Sequence, residues 1–382
     1  MTYSASSAWL SADLLADPYP LYKSLRESRP VHFDQLRQSW VLARYHDVER
    51  VLRDDAHFTA EQGVPNSMLV SDPPRHTRLR GLVSKAFTPR TVRQLRPRIQ
   101  EIAGSVLDAV AGRTEFDVID EFAYPLPITV IAELLGVEPE HRDFFRIQSQ
   151  KIALSLGPNA DPRVAERATE GRAELVRYFN GLIARRRVDP RDDIVTAMIG
   201  AEDRGDVLNH GEMLAMLLLL LVGGHETTVN LIGNGLLALL RNPDQLEMFR
   251  DEEGIERQAV DELLRYDPPA QYTGRIARKE VEIGGQTIRT GDRVRLILAS
   301  ANRDAEVFDE PDRLDLTRNP CDHLSFGIGV HFCLGAELAR LEGEIALSTI
   351  VRRFPHLRLT GQALRWRPAP VLRGLEALPL AL

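Results

Sequence analysis

The run 213–222 is wholly apolar, and apolar residues resume after Asn234; between them lie Gly223, Gly224, His225, Glu226 and Asn230. No other stretch restricts the fold as much. Ten apolar residues are too few to cross a bilayer, and a lipid-facing span would have to hide two ionisable groups near its middle. The alternative is a long helix buried in protein, which needs a thick shell of other elements. At 382 residues the chain is large enough to build that shell.

Most of the remaining sequence keeps helical spacing. The segments 18–27 and 46–53 read as short amphipathic helices. The segment 91–110 reads as one helix with Val92, Leu95, Ile99, Ile102, Val106 and Val110 on one face. A helix over 129–135 stops at Gly136, 163–187 is a charged amphipathic helix, and further helices run to Tyr266 before Pro268 and Pro269. Strand-like stretches are 31–33, 40–43 and 293–298, and Val281 to Ile288 reads as a hairpin about Gly284-Gly285. The segments 60–72 and 314–329 read as loop and irregular chain. No linker, repeat or low-complexity tract divides the sequence, so one mainly α unit over 1–382 with small β-sheets is expected.

The balance of 43% apolar and 27% charged residues is ordinary for a soluble globular protein. A net charge of −7 gives the surface as a whole no reason to bind nucleic acid. Yet 73–100 contains no Asp or Glu, while Arg75, Arg78, Arg80, Lys85, Arg90, Arg93, Arg96 and Arg98 are cationic. That run is either a solvated face or an anion site and docking face for an acidic partner. Two cysteines, Cys321 and Cys333, make no disulfide framework, which fits a reducing cytoplasm. The start, MTYSASSAWL, does not read as a signal peptide.

The densest chemistry lies at Phe326-Gly327-Ile328-Gly329-Val330-His331-Phe332-Cys333-Leu334-Gly335, ahead of a helix with Leu338, Leu341 and Ile345 on one side. Its glycines allow conformations and close approaches closed to other residues. A cysteine before a helix N-terminus meets unpaired N–H groups and the positive dipole end, and both favour thiolate over thiol. Such a sulfur is a good ligand for a soft or borderline metal. Other readings of Cys333 are a buried structural thiol, a nucleophile, and a zinc site shared with Cys321, His323 and His331. The CxH and HxC spacings of the last are unusual for structural zinc.

A second constellation is Gly223-Gly224-His225-Glu226-Thr227-Thr228. Two glycines inside a good helix cost about 1 kcal/mol each relative to Ala. Either another helix packs close there, or something flat or small presses on the helix or opens it. A hydroxyl and a carboxylate beside such a gap can pass protons from water to bound oxygen. Elsewhere, Glu262 and Arg265 (i, i+3) share a helix face and can pair.

These segments together resemble the cytochromes P-450. Phe326, Gly327, Gly329, His331, Cys333 and Gly335 keep the spacing of that family's haem-binding signature, and Leu338-Ala339-Arg340 follows. The resemblance implies the mainly α fold of that family, with haem b between the long central helix and the Cys loop with its final helix. Cys333 would be the sulfur ligand of the iron, a ligand that favours O–O cleavage. It assigns proton delivery and stabilisation of the reduced oxygen to Thr227, a proton relay to Glu226, and contact with the haem to Gly223. His225 falls at a variable position and receives no role. Glu262, Arg265 and Arg313 would form a buried structural network, and His76, Arg80, Arg275 and His331 would hold the haem propionates. By family position, the substrate pocket draws on the 60–72 loop, Leu219, Val222, Gln271, Val371 and Leu372, with Gln271 able to orient a polar group.

The implied activity is insertion of one oxygen atom from dioxygen into a hydrophobic small molecule, by hydroxylation or epoxidation, in specialised-metabolite biosynthesis or catabolism. Electrons would come from NAD(P)H through a separate reductase and an acidic ferredoxin or flavodoxin docked on the cationic run near Arg340. The resemblance is to the bacterial soluble type, a cytoplasmic monomer bound to neither membrane nor nucleic acid. Oxidative coupling, peroxide-driven turnover and a haem-binding sensor module are the rival readings.

Overall fold

The computed structural model describes residues 11–61, 66–156, 161–202 and 208–382. Its axis is the helix His210–Arg241, 32 residues and about 48 Å long at 1.5 Å per residue. Asn209 starts it with a capping box: its side chain accepts from the Glu212 N–H, and the Glu212 carboxylate accepts from the Asn209 N–H. The helices Pro125–Leu135, Arg142–Leu154, Pro162–Val188, Glu256–Tyr266 and Ala336–Arg353 pack around it. Every residue of the central helix over 228–239 is buried, and each covered Leu or Ile contributes about 1.5–3 kcal/mol by leaving water. By length and composition this helix is apolar enough to cross a membrane, but 61% of its apolar window is buried in protein.

Small residues let the shell come close. A Cβ on Gly343 of the final helix would lie 3.1 Å from Leu231, and one on Gly224 would lie 3.0 Å from Ile131. The first half of the central helix is covered less evenly. Leu214, Leu218, Leu219 and Val222 are half-buried and Gly223 is exposed, an apolar stripe that leads to half-buried Thr227. Residues four apart share a helix face, so this stripe is one continuous surface.

The main sheet has the order Val31–Asp34, Ser39–Leu42, Arg293–Leu296, Thr273–Ala277, Phe58–Thr59. The pair Ser39–Leu42 with Arg293–Leu296 is parallel, and the others are antiparallel. The expected hairpin pairs Val281 with Ile288 and Ile283 with Gln286. Its turn residues, Gly284 and Gly285, have φ of 56° and 72°, the left-handed backbone that a two-residue hairpin turn requires.

Two elements differ from expectation. The segment 91–110 forms two helices, Pro89–Gln94 and Arg96–Asp108, separated at Leu95. Pro97 has no N–H for the Arg93 carbonyl, and its ring crowds that oxygen. The apolar period runs through the break because both pieces bury the same side, with Val92, Ile99 and Ile102. The strand expected over 293–298 ends at Leu296, and Leu298 opens the short helix Leu298–Ala301. Of the 60–72 loop, 62–65 lie outside the described residues, and Met68–Val70 makes a 3-10 turn.

Candidate active site

The Cys loop closes on itself. Gly329–His331 forms a 3-10 turn, and the Cys333 N–H donates to the Phe326 carbonyl at 2.8 Å. Gly327 and Gly329 have φ of 65° and 74°, and a Cβ on Gly329 would press on the Leu52 carbonyl at 3.1 Å. Cys333 lies three residues before the final helix. Burial pushes its thiol up, and the Gly335 N–H on the sulfur together with the Arg80 and Arg340 cations does not offset this. The helix start alone therefore does not yield a thiolate here. A cation bonded directly to the sulfur would, since a metal-bound thiol is deprotonated outright.

The zinc reading fails on geometry. The Cys321 thiol lies 3.7 Å from Glu262, His323 pairs with Asp261 at 3.2 Å, and the His331 ring packs 4.4 Å from that of His76. These side chains turn to different partners, and among the described residues no His, Cys, Asp and Glu group is placed to hold a metal ion.

Beside the loop gathers a set of donors short of negative charge. His76 and Arg80 come from the helix Arg75–Val83, Arg275 from its strand, and His331 from the Cys loop. His76 is 2% exposed and Arg275 8%. Among the described residues His76 Nδ1 and His331 Nε2 have no hydrogen-bond partner, and Arg275 reaches a carbonyl, that of Gly274, at 2.8 Å. The nearby Asp72 carboxylate is taken up by Thr59, the Ala60 N–H and Arg278, and stays 3.9 Å from His331. Burial lowers His76 and Arg275, and burial with the Arg275 and His76 charges takes His331 down to about 4. Buried cations without counter-charge are costly. Two carboxylates entering together would remove that cost, which is what the haem propionates bring.

At the waist of the central helix the two glycines have separate reasons. Gly224 makes room for Ile131, whereas a Cβ on Gly223 would meet nothing nearer than Leu219 of its own helix at 3.9 Å. The helix is not opened there: Thr227 Oγ1 donates to the Gly223 carbonyl at 2.8 Å. Glu226, 1% exposed, makes no described hydrogen bond to Thr227. It accepts instead from the Tyr124 hydroxyl at 3.1 Å and from Arg367 at 3.0 Å, with His225 Nε2 at 3.5 Å. Burial pushes its carboxyl up, but the His225 contact, the Arg367 guanidinium and the Tyr124 hydroxyl outweigh burial and hold it below the usual range. A depressed carboxylate stabilises the fold above its unfolded value and loses that contribution as pH falls through the folded one. Arg367→Leu should therefore destabilise the protein near neutral pH and flatten its stability profile on the acid side, as thermal unfolding between pH 3 and 7 will read. Arg367, 141 positions from Glu226, belongs to none of the motifs legible in the sequence.

The Glu262–Arg265 pair is fully buried, with Nε and Nη2 donating to the two carboxylate oxygens at 2.6 and 2.8 Å. Arg265 also donates to the carbonyls of Asn302, Pro311 and Arg313. The expectation for Arg313 is corrected: its guanidinium is exposed on Glu310, and it joins the network through its backbone. The third charged member is Arg318, whose Nε lies 3.2 Å from Glu262. A turn closes on Arg313, whose N–H donates to the Glu310 carbonyl, and the chain then runs along the carboxylate, with the Asp315 N–H on Glu262 Oε1 at 3.0 Å.

The pocket expectation also changes. The Gln271 amide is used at both ends, donating to the Pro268 carbonyl at 2.7 Å and accepting from Tyr22 at 3.0 Å. Both ends are thus held by protein groups, and the side chain is buried. Val371 packs with Tyr19, Tyr22 and Tyr272, and Leu372 is buried in a bridge to Ala270. Leu219 and Val222 do lie on the open stripe.

Comparison with known proteins gives the family of the chain. The profile of the family described as Cytochrome P450 matches residues 161–365. Cytochrome P450 107B1 of Saccharopolyspora erythraea is 45% identical over 368 residues, covering 90% of this chain and 89% of that one. The 6-deoxyerythronolide B hydroxylase of the same organism is 39% identical over 393 residues, covering 96% of each. The crystal structure of P450BioI with a hexadec-9Z-enoic acid-ligated acyl carrier protein superposes with a TM-score of 0.93 at 36% identity, covering 97% of this chain and 99% of that one. The chain belongs to the cytochrome P450 family, and it is an enzyme of the bacterial monooxygenase class. Members of this class use haem, dioxygen, an organic substrate and redox partners.

Proposed function

We propose that residues 1–382 form one haem b domain, with Cys333 as axial sulfur ligand, that inserts one oxygen atom of dioxygen into an apolar small molecule. The observation that carries this is the anion-short cluster of His76, Arg80, Arg275 and His331 beside a glycine-bracketed cysteine. When bound, the haem supplies reductive activation of dioxygen, which a thiolate ligand favours. Phe326 is part of the support for the loop, its ring lying 4.6 Å under the Arg340 guanidinium. The stripe of Leu214, Leu218, Leu219 and Val222 takes the apolar substrate and keeps water away from the reacting carbon. Thr227, at the end of that stripe, passes a proton from Oγ1 once it leaves the Gly223 carbonyl. Glu226 takes up and releases protons behind it. The names of the relatives support hydroxylation and an acyl or other apolar substrate of specialised metabolism.

The cationic run divides by pairing. Arg75 and Arg78 bind Glu212, Arg96 binds Glu344, and Arg98 binds Glu133. Lys85, Arg90 and Arg93 are exposed, with no carboxylate in ion-pair reach among the described residues. We assign these three to an acidic ferredoxin or flavodoxin that carries electrons from NAD(P)H, the protein acting as a cytoplasmic monomer. The test supplies the haem protein with NADPH, a reductase and a [2Fe–2S] ferredoxin under ¹⁸O₂, with a panel of fatty acids and lactones. One labelled oxygen per product is the expected result. Reversing the three charges to Glu should slow electron entry about tenfold at low salt, with the gap closing as salt rises. Haem reduction indifferent to both charge and salt would overturn the docking assignment.

A further inference from the structure

The Asp72 carboxylate borders the propionate donors, yet its side chain bonds none of them. We propose that Arg278 is a positioning residue for haem binding: it holds Asp72 back from His331 and so keeps that donor open to a propionate. The proposal rests on the haem site proposed above and adds a residue to it.

Asp72 is 7% exposed and stands just ahead of the helix Arg75–Val83, with its carbonyl on the His76 N–H at 2.9 Å. Its two carboxylate oxygens have different partners. Oδ2 accepts from the Thr59 hydroxyl and from Arg278 Nη2, while Oδ1 accepts from the Ala60 N–H at 3.1 Å. Oδ1 also lies 3.9 Å from His331 Nε2, roughly 1 Å beyond hydrogen-bond distance. Neither atom is saturated. A carboxylate oxygen can accept a second hydrogen, and His331 Nε2 has no hydrogen-bond partner among the described residues. A small turn of the Asp72 side chain would join them. The two bonds on Oδ2 oppose that turn, and one of them carries the full charge of Arg278.

Charge balance points the same way. The charged and titratable groups around Asp72 are Arg278, Arg275, His76 and His331, and Arg80 adds its charge at His331. Burial is the first cause that holds both rings down, so Arg80 and Arg275 are the fixed cations left for two propionates. Arg278 matches Asp72 as a separate pair. Burial raises the Asp72 carboxyl, but the Thr59 hydroxyl, the Ala60 N–H and Arg278 outweigh it and hold the group below the usual range. Asp72 is therefore a charged rival. Without Arg278, three carboxylates would share two cations, and Asp72, fixed there by its own backbone, would reach His331 first.

Arg278 can lose its charge without losing its place. Its N–H bonds the His57 carbonyl at 2.7 Å, and the neighbouring strand pairing joins Phe58 to Ala277 and Thr59 to Ile276. Its side chain is 42% exposed, and an ion pair open to solvent contributes little to stability by itself. Its effect lies in where it keeps the carboxylate.

The test follows haem loss from the full-length haem protein to excess apomyoglobin, read in the visible spectrum. Arg278→Met should lose haem roughly tenfold faster than wild type, the scale of one charge-assisted hydrogen bond denied to a propionate. Asp72→Asn removes the rival charge and keeps the shape, so it should lose haem no faster than wild type. The double variant should return to within about twofold of wild type, a strong departure from additivity. Structural loosening by Arg278→Met would not be repaired by a second substitution, so the recovery separates positioning from stability. Three outcomes would overturn the proposal: Arg278→Met indistinguishable from wild type, a double variant as fast as Arg278→Met, or Asp72→Asn alone clearly faster than wild type. Thr59→Val frees Oδ2 from the other side, and with and without Asp72→Asn it repeats the comparison should Arg278→Met not fold. A wild type that binds no haem would sink the haem site itself, whereas a wild type that holds haem without this coupling sinks the role of Arg278 alone.

Discussion

Cys333→Ala should erase the strongly red-shifted Soret band of the reduced, carbon monoxide-bound protein and take oxygen insertion below detection. Every other contact of the loop survives the change. The Cys333 N–H still bonds the Phe326 carbonyl, Gly327 and Gly329 keep their positive φ, and the final helix still begins at Ala336. The donors His76, Arg80, Arg275 and His331 also remain, so haem should still enter, held by its propionates. The loss is therefore confined to what the sulfur does electronically. Parallel visible spectra and haem quantification of the two proteins check it. An unchanged band in the variant would remove Cys333 from the iron and with it the family-based assignment of the site.

Arg265→Ala should cost about 3–5 kcal/mol, because it strips a fully buried carboxylate of its bidentate partner. Against a total of about 5–15 kcal/mol, that leaves little folded protein at growth temperature. All five guanidinium hydrogens of Arg265 are used, two on Glu262 and three on carbonyls of later irregular chain, so Lys should not rescue it. The exposed Arg313 guanidinium should be dispensable, with Arg313→Ala within about 0.5 kcal/mol of wild type. Arg318→Ala should fall between the two, since Arg318 meets the same carboxylate as Glu262's second cation. Urea unfolding of the three variants checks the order. A small effect at Arg265 together with a large one at Arg313 would reverse the assignment of the network.

The reach of the sequence is visible in particular residues. The central helix was legible because a ten-residue apolar run broken by Gly-Gly-His-Glu admits few environments, and burial of that helix answers to composition. The Cys loop was legible because its glycines, its cysteine and the following helix are contiguous, so spacing alone carries the backbone geometry. Gly284-Gly285 was legible for the same local reason. The helix break at Leu95 was missed because the apolar period is indifferent to a lost hydrogen bond at Pro97.

Arg318 in place of Arg313, Gln271 turned to Tyr22, and Arg367 with Tyr124 around Glu226 were decided by tertiary structure. Each depends on which of several chemically similar side chains a long-range packing brings within about 3 Å, and one-dimensional spacing holds no information on that. The same holds for the ionisation of Cys333. The helix start argues for a thiolate, but the depth of burial, which only the packed chain sets, outweighs it. The sequence determined the class of chemistry, because its reactive groups sit in short rigid segments. The tertiary structure decided the charge state and the partners of those groups, because hydrogen bonds and desolvation act at distances that the folded chain alone defines.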